Sequence, residues 1–393
     1  MLLVIQSIIV YGLMIWVMTY FGKIAYKSQY PQGFGGIDRF ENKKRSLSYL
    51  FREGYFLIPI LVFCFFSAVR FQVGVDCETY KNIFYDINLI GTSSRSEEVE
   101  AAYIFLSKFT YGITRSHYLL FFILAFLQIG LYYIALQKER QALMFFGISL
   151  MLTGHYWSLM NGMRQNIAAC AFVAMTPWLL DKKRWVFFVA GTMLATTMHR
   201  SALLLLPLGF MAYFLRNKIP NKYLQLAILA VSFALMNKLD NVFTEENITA
   251  FAGEAGYSED EIAAYTELEA TTYKFGLRMY LLYAVYCLAI FFSDKMHKIF
   301  NSKVFNIMYN MFFIGICLTL IFYNNFTIKR ILYYFTCFNC VIVSYLMFFL
   351  WKNKKTSLLI ITIAMLLAQT VWSVYSDVQN KGIFEASLYK FDF

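Results

Sequence analysis

Six cationic side chains set the chemistry open to this sequence: Arg70, Arg164, Arg200, Arg278, Lys329 and Arg330 stand at or just inside the ends of apolar runs. Arginine at membrane depth is costly and usually faces a water-filled cavity or an anion. One such arginine is well explained by snorkelling to the headgroups. Six at one level make a shared anionic ligand, held by planar guanidinium forks, the better account. Three local patterns surround them. Arg70-Phe-Gln-Val-Gly74-Val-Asp76-Cys-Glu78-Thr-Tyr80 is followed by Glu97, Glu98 and Glu100. Asn161-Gly-Met-Arg164-Gln165 and His199-Arg200-Ser201, ahead of Pro207, are the other two. The four histidines are scattered and none forms His-x-x-x-His, so no metal site is expected.

The elements that position these groups follow from composition. Of 393 residues, 59% are hydrophobic and 15% charged, and mean hydropathy is +0.53. Those values exclude an ordinary soluble domain. A bilayer core needs about 20 apolar residues per helix. The chain therefore reads as an all-α, polytopic membrane protein with about twelve spans. They run near 2–21, 54–71, 117–136, 143–160, 163–180, 185–199, 201–215, 223–238, 274–292, 304–323, 331–350 and 356–375. A single membrane domain over 1–393 leaves no room for a soluble one. The N-terminus lacks the basic n-region and cleavage site of a signal peptide, so the first span is expected to remain. Six of the seven cysteines lie in apolar runs, and Cys337 and Cys340 read as packing residues despite their redox-like spacing.

Orientation follows from loop charge. One set of loops carries Lys23, Lys27, Arg39, Lys43, Lys44, Arg45 and Arg52, then Lys138 and Arg140, then Lys182, Lys183 and Arg184. The same face continues with Arg216, Lys218 and Lys222, then Lys295, Lys298 and Lys303, then Lys352, Lys354 and Lys355. This face is expected to be cytoplasmic, which accounts for the net charge of +11 without nucleic acid and puts both termini outside. The longer loops at 72–116 and 239–273 then lie outside, the second acidic. The stretch 99–114 has helical apolar spacing (Val99, Tyr103, Leu106, Phe109, Ile113) and is expected to lie along the membrane surface.

The ordered motifs resemble the EpsG branch of the Wzy-like polymerases of bacterial O-antigen, capsule and exopolysaccharide. They are the R-x-x-x-G-x-D-x-x-x-Y stretch from Arg70 to Tyr80, the N-x-x-R-Q turn at Asn161–Gln165 and H-x-S at His199–Ser201. A late arginine before aromatics (Arg330, Tyr333, Tyr334) and a C-terminal Tyr-Lys-Phe (Tyr389 to Phe391) complete the set. The resemblance covers nearly the whole chain and implies a glycosyltransferase of the bacterial inner membrane. It is similar to lipid-linked-donor (GT-C-like) glycosyltransferases and thought to need neither metal nor nucleotide. Its implied substrates are undecaprenyl-pyrophosphate-linked oligosaccharides. Its implied partners are the bilayer and a chain-length regulator and flippase of the same pathway.

Such a reaction needs cations at a departing lipid pyrophosphate. Arg164, Arg200, Arg278 and Arg330 are the candidates, with Arg70 structural or substrate-orienting. It also needs a general base for the acceptor hydroxyl, for which His199 is the first candidate, Asp76 and Glu78 the carboxylate alternatives and His155 a further one. Tyr80 belongs to the same substrate-binding set, and Asn161 and Gln165 are expected to shape the hairpin and support Arg164. A flippase would place ionisable or helix-breaking residues at mid-membrane in two matching halves. This sequence has neither. An O-acyltransferase lacks its signature here, and an O-antigen ligase would run nearly the same chemistry on a different acceptor.

Overall fold

The computed structural model describes residues 2–39, 45–74, 76–90, 99–236, 238, 275–379 and 388–392. The acidic 239–273 loop, and Glu97 and Glu98, lie outside the described residues. Among the described residues, all but two short strands of the regular structure is helical. We number the elements that matter below as α1 (Leu2–Gln29), α2 (Gly54–Ala68), β1 (Arg70–Phe71), α3 (Cys77–Tyr85) and α4 (Ala101–Thr114). They continue with α5 (His117–Ala135), α6 (Arg140–Leu152), α7 (His155–Met160), α8 (Met163–Met175), α9 (Trp185–Thr196), α10 (Leu205–Leu215) and α11 (Lys222–Ala234). The remainder are α12 (Leu277–Phe291), α13 (Lys303–Ile321), α14 (Asn339–Lys352), α15 (Thr356–Gln379) and β2 (Lys390–Phe391).

Every expected segment contains a helix, and most hold a single one, yet few of these helices are long enough to cross a membrane alone. Among the described residues, five helical stretches are long and apolar enough to cross a membrane: α1, α5, α13, Ile328–Lys352 and Thr356–Ser376. A sixth is added if α12 and the following Ser293–Phe300, bent by 57°, form one span. The expected 143–160 run breaks at Gly154, whose φ of +81° ends α6 and starts α7. The 163–180 run passes into a 3-10 turn at Thr176–Leu180, where Pro177 supplies no N–H for helix continuation.

Helix ends inside the bundle leave carbonyls that lipid cannot satisfy, and buried side chains donate to backbone carbonyls near them. Gln128 Nε2 donates to Leu159 O at 2.9 Å and Met163 O at 3.2 Å, and Asn310 Nδ2 donates to Leu215 O at 2.7 Å and Lys218 O at 2.9 Å. Tyr132 joins α5 to the start of α14 by donating to Cys337 O at 2.7 Å, and its oxygen lies 2.7 Å from His155 Nε2. α1 and α6 approach closely because Gly22 faces the Leu143 carbonyl and Gly147 faces Met18, and a Cβ at either glycine would collide with its neighbour.

The two ends of the bundle differ. At one, Arg45 pairs with Glu139 at 2.6 Å, while Arg140 donates to Ser28 at 2.6 Å and Tyr55 at 3.1 Å. At the other, the start of α1 meets the C-terminal strand, and the sequence motifs gather there. On α4 the exposed stripe is apolar (Phe105, Phe109, Ile113), whereas Tyr103, Ser107 and Thr110 face inward. Tyr103, expected among the surface-facing residues, is therefore a core residue.

Candidate active site

The site is assembled on a turn, and the first motif holds that turn. Beyond α2 the chain forms β1 and then doubles back through Gln72 (φ +53°) and Gly74 (φ +89°). Arg70 is fully buried; it donates to Val73 O at 2.9 Å, Met160 O at 3.4 Å and Ser67 O, and lies 4.8 Å over the Phe121 ring. Gly74 packs so tightly that a Cβ there would lie 2.8 Å from the Met160 carbonyl oxygen. Asp76 completes the clasp. Its N–H donates to Asn161 Oδ1 at 3.1 Å, and its Oδ2 accepts from the Gly162 N–H at 2.8 Å. Arginine, glycine and aspartate of the R-x-x-x-G-x-D stretch thus all address residues 160–162.

The residue that follows the second motif closes the turn from inside. Asn166 Nδ2 donates to Ser158 O at 2.6 Å, Asn161 O at 2.7 Å and Gly162 O at 3.2 Å. Gly162 at φ +51° then lets α8 start at Met163, which places Arg164 in its first turn. Gln165 donates to the Arg330 carbonyl at 2.9 Å and so joins the late arginine segment to the same turn.

One carboxylate collects the functional groups. Glu100 immediately precedes α4, and its side chain is only 7% exposed. It pairs with the Arg164 guanidinium; its Oε1 lies 2.9 Å from His199 Nδ1 and accepts from the Arg200 N–H at 3.2 Å. Burial pushes the Glu100 carboxyl up, but the hydrogen bond from His199 and the charge of Arg164 outweigh it and hold the group at about 2. The Arg164 guanidinium lies 5.9 Å from the Tyr80 ring centroid and 5.7 Å from that of Tyr103, and the Tyr103 hydroxyl donates to Tyr80 O at 3.2 Å. Next to His199 and Arg200, Ser201 Oγ lies 2.8 Å from the Tyr334 hydroxyl.

Asp76, Tyr80, Asn161, Arg164, Gln165, His199 and the Arg200 and Arg330 backbones are therefore one connected assembly. The Arg200 side chain itself is exposed, as is Glu78 in the first turn of α3. Arg278 is exposed at the start of α12, and among the described residues no bond joins it to Glu100. Arg70 reaches backbone carbonyls on both sides of the clasp. His155 is buried against Tyr132, away from the Glu100 cluster. The sequence reading passed over Glu100. Its signal was an acidic residue directly ahead of a helix, Ala101–Thr114, that contains no other acid.

An apolar helical bundle with a carboxylate-held arginine and histidine at one end defines a class: helical, multi-span membrane proteins that carry their polar site at a helix-end rim. Within that class the chain matches the EpsG family over residues 54–391 and belongs to it, the family of Wzy-like polysaccharide polymerases. No curated protein and no solved structure matches the chain. The matched stretch holds the whole Glu100 assembly and the C-terminal strand β2.

Proposed function

We propose that this protein polymerises undecaprenyl-pyrophosphate-linked oligosaccharide repeat units into a surface polysaccharide by glycosyl transfer outside the cytoplasmic membrane. The observation that carries this reading is the buried Glu100 carboxylate, which binds His199 through Nδ1 and Arg164 through its guanidinium at one helix-end rim. Family membership supports the polymerase activity. Loop charge supports the direction: the Glu100 rim faces outward, the Arg45–Glu139 end faces the cytoplasm and both termini lie outside. In this reading the shorter helices also cross, as broken or tilted spans, for about twelve crossings. The architecture is akin to that of lipid-linked-donor glycosyltransferases.

Each residue then has a stated task. The acceptor hydroxyl oxygen of a new repeat unit attacks the anomeric carbon of the donor chain. The bond from that carbon to the lipid pyrophosphate breaks, and undecaprenyl pyrophosphate leaves. A proton held on His199 Nδ1 by Glu100 leaves the Nε2 lone pair to take the hydroxyl proton. Glu100, ionised at every physiological pH, orients the imidazole. Arg164 and the exposed Arg200 and Arg278, with Arg330, supply donors where negative charge grows on the leaving pyrophosphate. Asp76, Asn161 and Arg70 hold the turn, and Tyr80 backs Arg164. A flippase and a chain-length regulator are the expected partners.

The test is gene deletion in a host with a known surface glycan. Loss of long chains with retention of single capped units supports the polymerase. Loss of every surface unit assigns a flippase or ligase instead.

A further inference from the structure

The last described residues run back onto the strand that begins the site. Tyr389 is fully buried; its N–H donates to Ser7 Oγ at 2.7 Å and its hydroxyl to Phe66 O at 2.7 Å. Lys390 and Phe391 pair antiparallel with Phe71 and Arg70. The Asp392 N–H donates to Val69 O at 3.0 Å, and its carboxylate lies 2.9 Å from His117 Nε2 and 3.4 Å from Lys81 Nζ. The Asp392 carbonyl accepts from the Tyr118 hydroxyl. Four residues thus engage α1, α2, α3, α5 and β1 at once.

A two-residue, two-stranded ladder is marginal by itself, so the tail and β1 need each other and these side-chain anchors. The far end of the β1 segment carries Asp76, whose two bonds fix the Asn161–Gly162 turn directly ahead of Arg164. The path from tail to site is short and continuous: Phe391 to Arg70, Asp76 to Gly162, Arg164 to Glu100.

We propose that residues 388–392 are a positioning element for the transfer reaction. Docking of Tyr389 and Asp392 sets β1, and β1 sets the turn from which Arg164 and the Glu100–His199 pair act. This inference rests on the polymerase reading above. Its consequence is that loosening the tail's polar bonds lowers elongation even where the Tyr389 ring stays packed in the bundle core. A displacement of about 1 Å at the reacting groups lowers rate by about 10²-fold.

The experiment uses full-length protein in membranes supplied with the host's undecaprenyl-pyrophosphate-linked repeat units. The double variant Tyr389→Phe/Asp392→Asn, which keeps the buried ring but removes its hydroxyl bond to Phe66 O and the charge facing His117 and Lys81, is expected at near wild-type abundance and melting temperature, with elongation down by about 10²-fold. Adding Phe71→Cys and Lys390→Cys, which replace a paired cross-strand position, is expected to restore elongation when oxidised and to lose it again with reductant. Normal elongation by the double variant overturns the proposal. So does a loss that tracks falling abundance and is not restored by the crosslink. Arg164→Ala run alongside separates the two readings: if it too elongates normally, the polymerase site itself is misassigned.

Discussion

Glu100 Oε1 and His199 Nδ1 lie 2.9 Å apart, although 99 residues separate them in the chain. The contact exists because the residue preceding α4 meets the helix-breaking Thr197–His199 corner after α9, where the Ala102 N–H also donates to Thr197 O at 2.9 Å. A carboxylate bound to Nδ1 fixes the imidazole's orientation and favours one tautomer, which is the arrangement a base needs before substrate arrives.

Glu100 should therefore carry a pH-dependent share of stability. Its carboxyl is held at about 2 in the folded protein against 4.5 for the free group. A depressed folded value stabilises the protein fully above the unfolded value, and the contribution fades as pH falls from 4.5 towards 2. In detergent, Glu100→Gln should melt several degrees below wild type at pH 7, and the gap should shrink markedly at pH 3. A gap that stays constant across that range would show that the carboxylate does not sense Arg164 and His199.

The base assignment separates two residues. His199→Ala should leave membrane abundance intact while elongation falls by ~10²–10⁴-fold. Asp76→Asn keeps an acceptor oxygen for the Gly162 N–H and should retain most of the activity. Elongation that survives His199→Ala but fails in Asp76→Asn transfers the role to the carboxylate.

Much of this arrangement was legible in the sequence, and the remainder has a physical reason for its silence. The apolar runs gave helices because their side chains have no other way to leave water. They did not show where helices break, since apolarity continues straight through Gly154 and into Thr176–Leu180 while the backbone does not. Arg70, Gly74 and Asp76 stood out by spacing, but spacing alone does not separate binding a ligand from clasping a turn. Their partners, Met160 to Gly162, are backbone atoms that any sequence would offer. Glu100 stands beside Glu97 and Glu98 and looks like one more solvated acid. Its place directly ahead of the Ala101–Thr114 helix sets it apart only slightly, and burial against Arg164 and His199 distinguishes it fully.

Orientation makes a separate forecast. A cysteine introduced at Glu254 in intact cells should react with a membrane-impermeant thiol reagent, and one introduced at Lys44 should not. Both cysteines should react after permeabilisation. The reverse pattern would turn the Glu100 rim toward the cytoplasm and remove flipped, outward-facing repeat units as its substrate.

Arg164 is the most discriminating residue in the cluster. Its guanidinium lies near the rings of Tyr80 and Tyr103 while pairing with Glu100, and under the proposed function it also supplies donors to the leaving pyrophosphate. Lysine can keep the Glu100 pair as a point charge, but it loses the planar donor edge and the guanidinium's contact with the rings. Arg164→Lys should therefore reach the membrane at wild-type abundance and hold its fold, yet shorten the glycan ladder severely, with elongation down by about 10²-fold. A purely structural counter-ion to Glu100 would tolerate lysine, because that role asks only for a nearby positive charge. Ladder length at matched membrane abundance decides between them. Ladders of normal length from Arg164→Lys would reduce this arginine to Glu100's counter-ion and take the pyrophosphate role away from it.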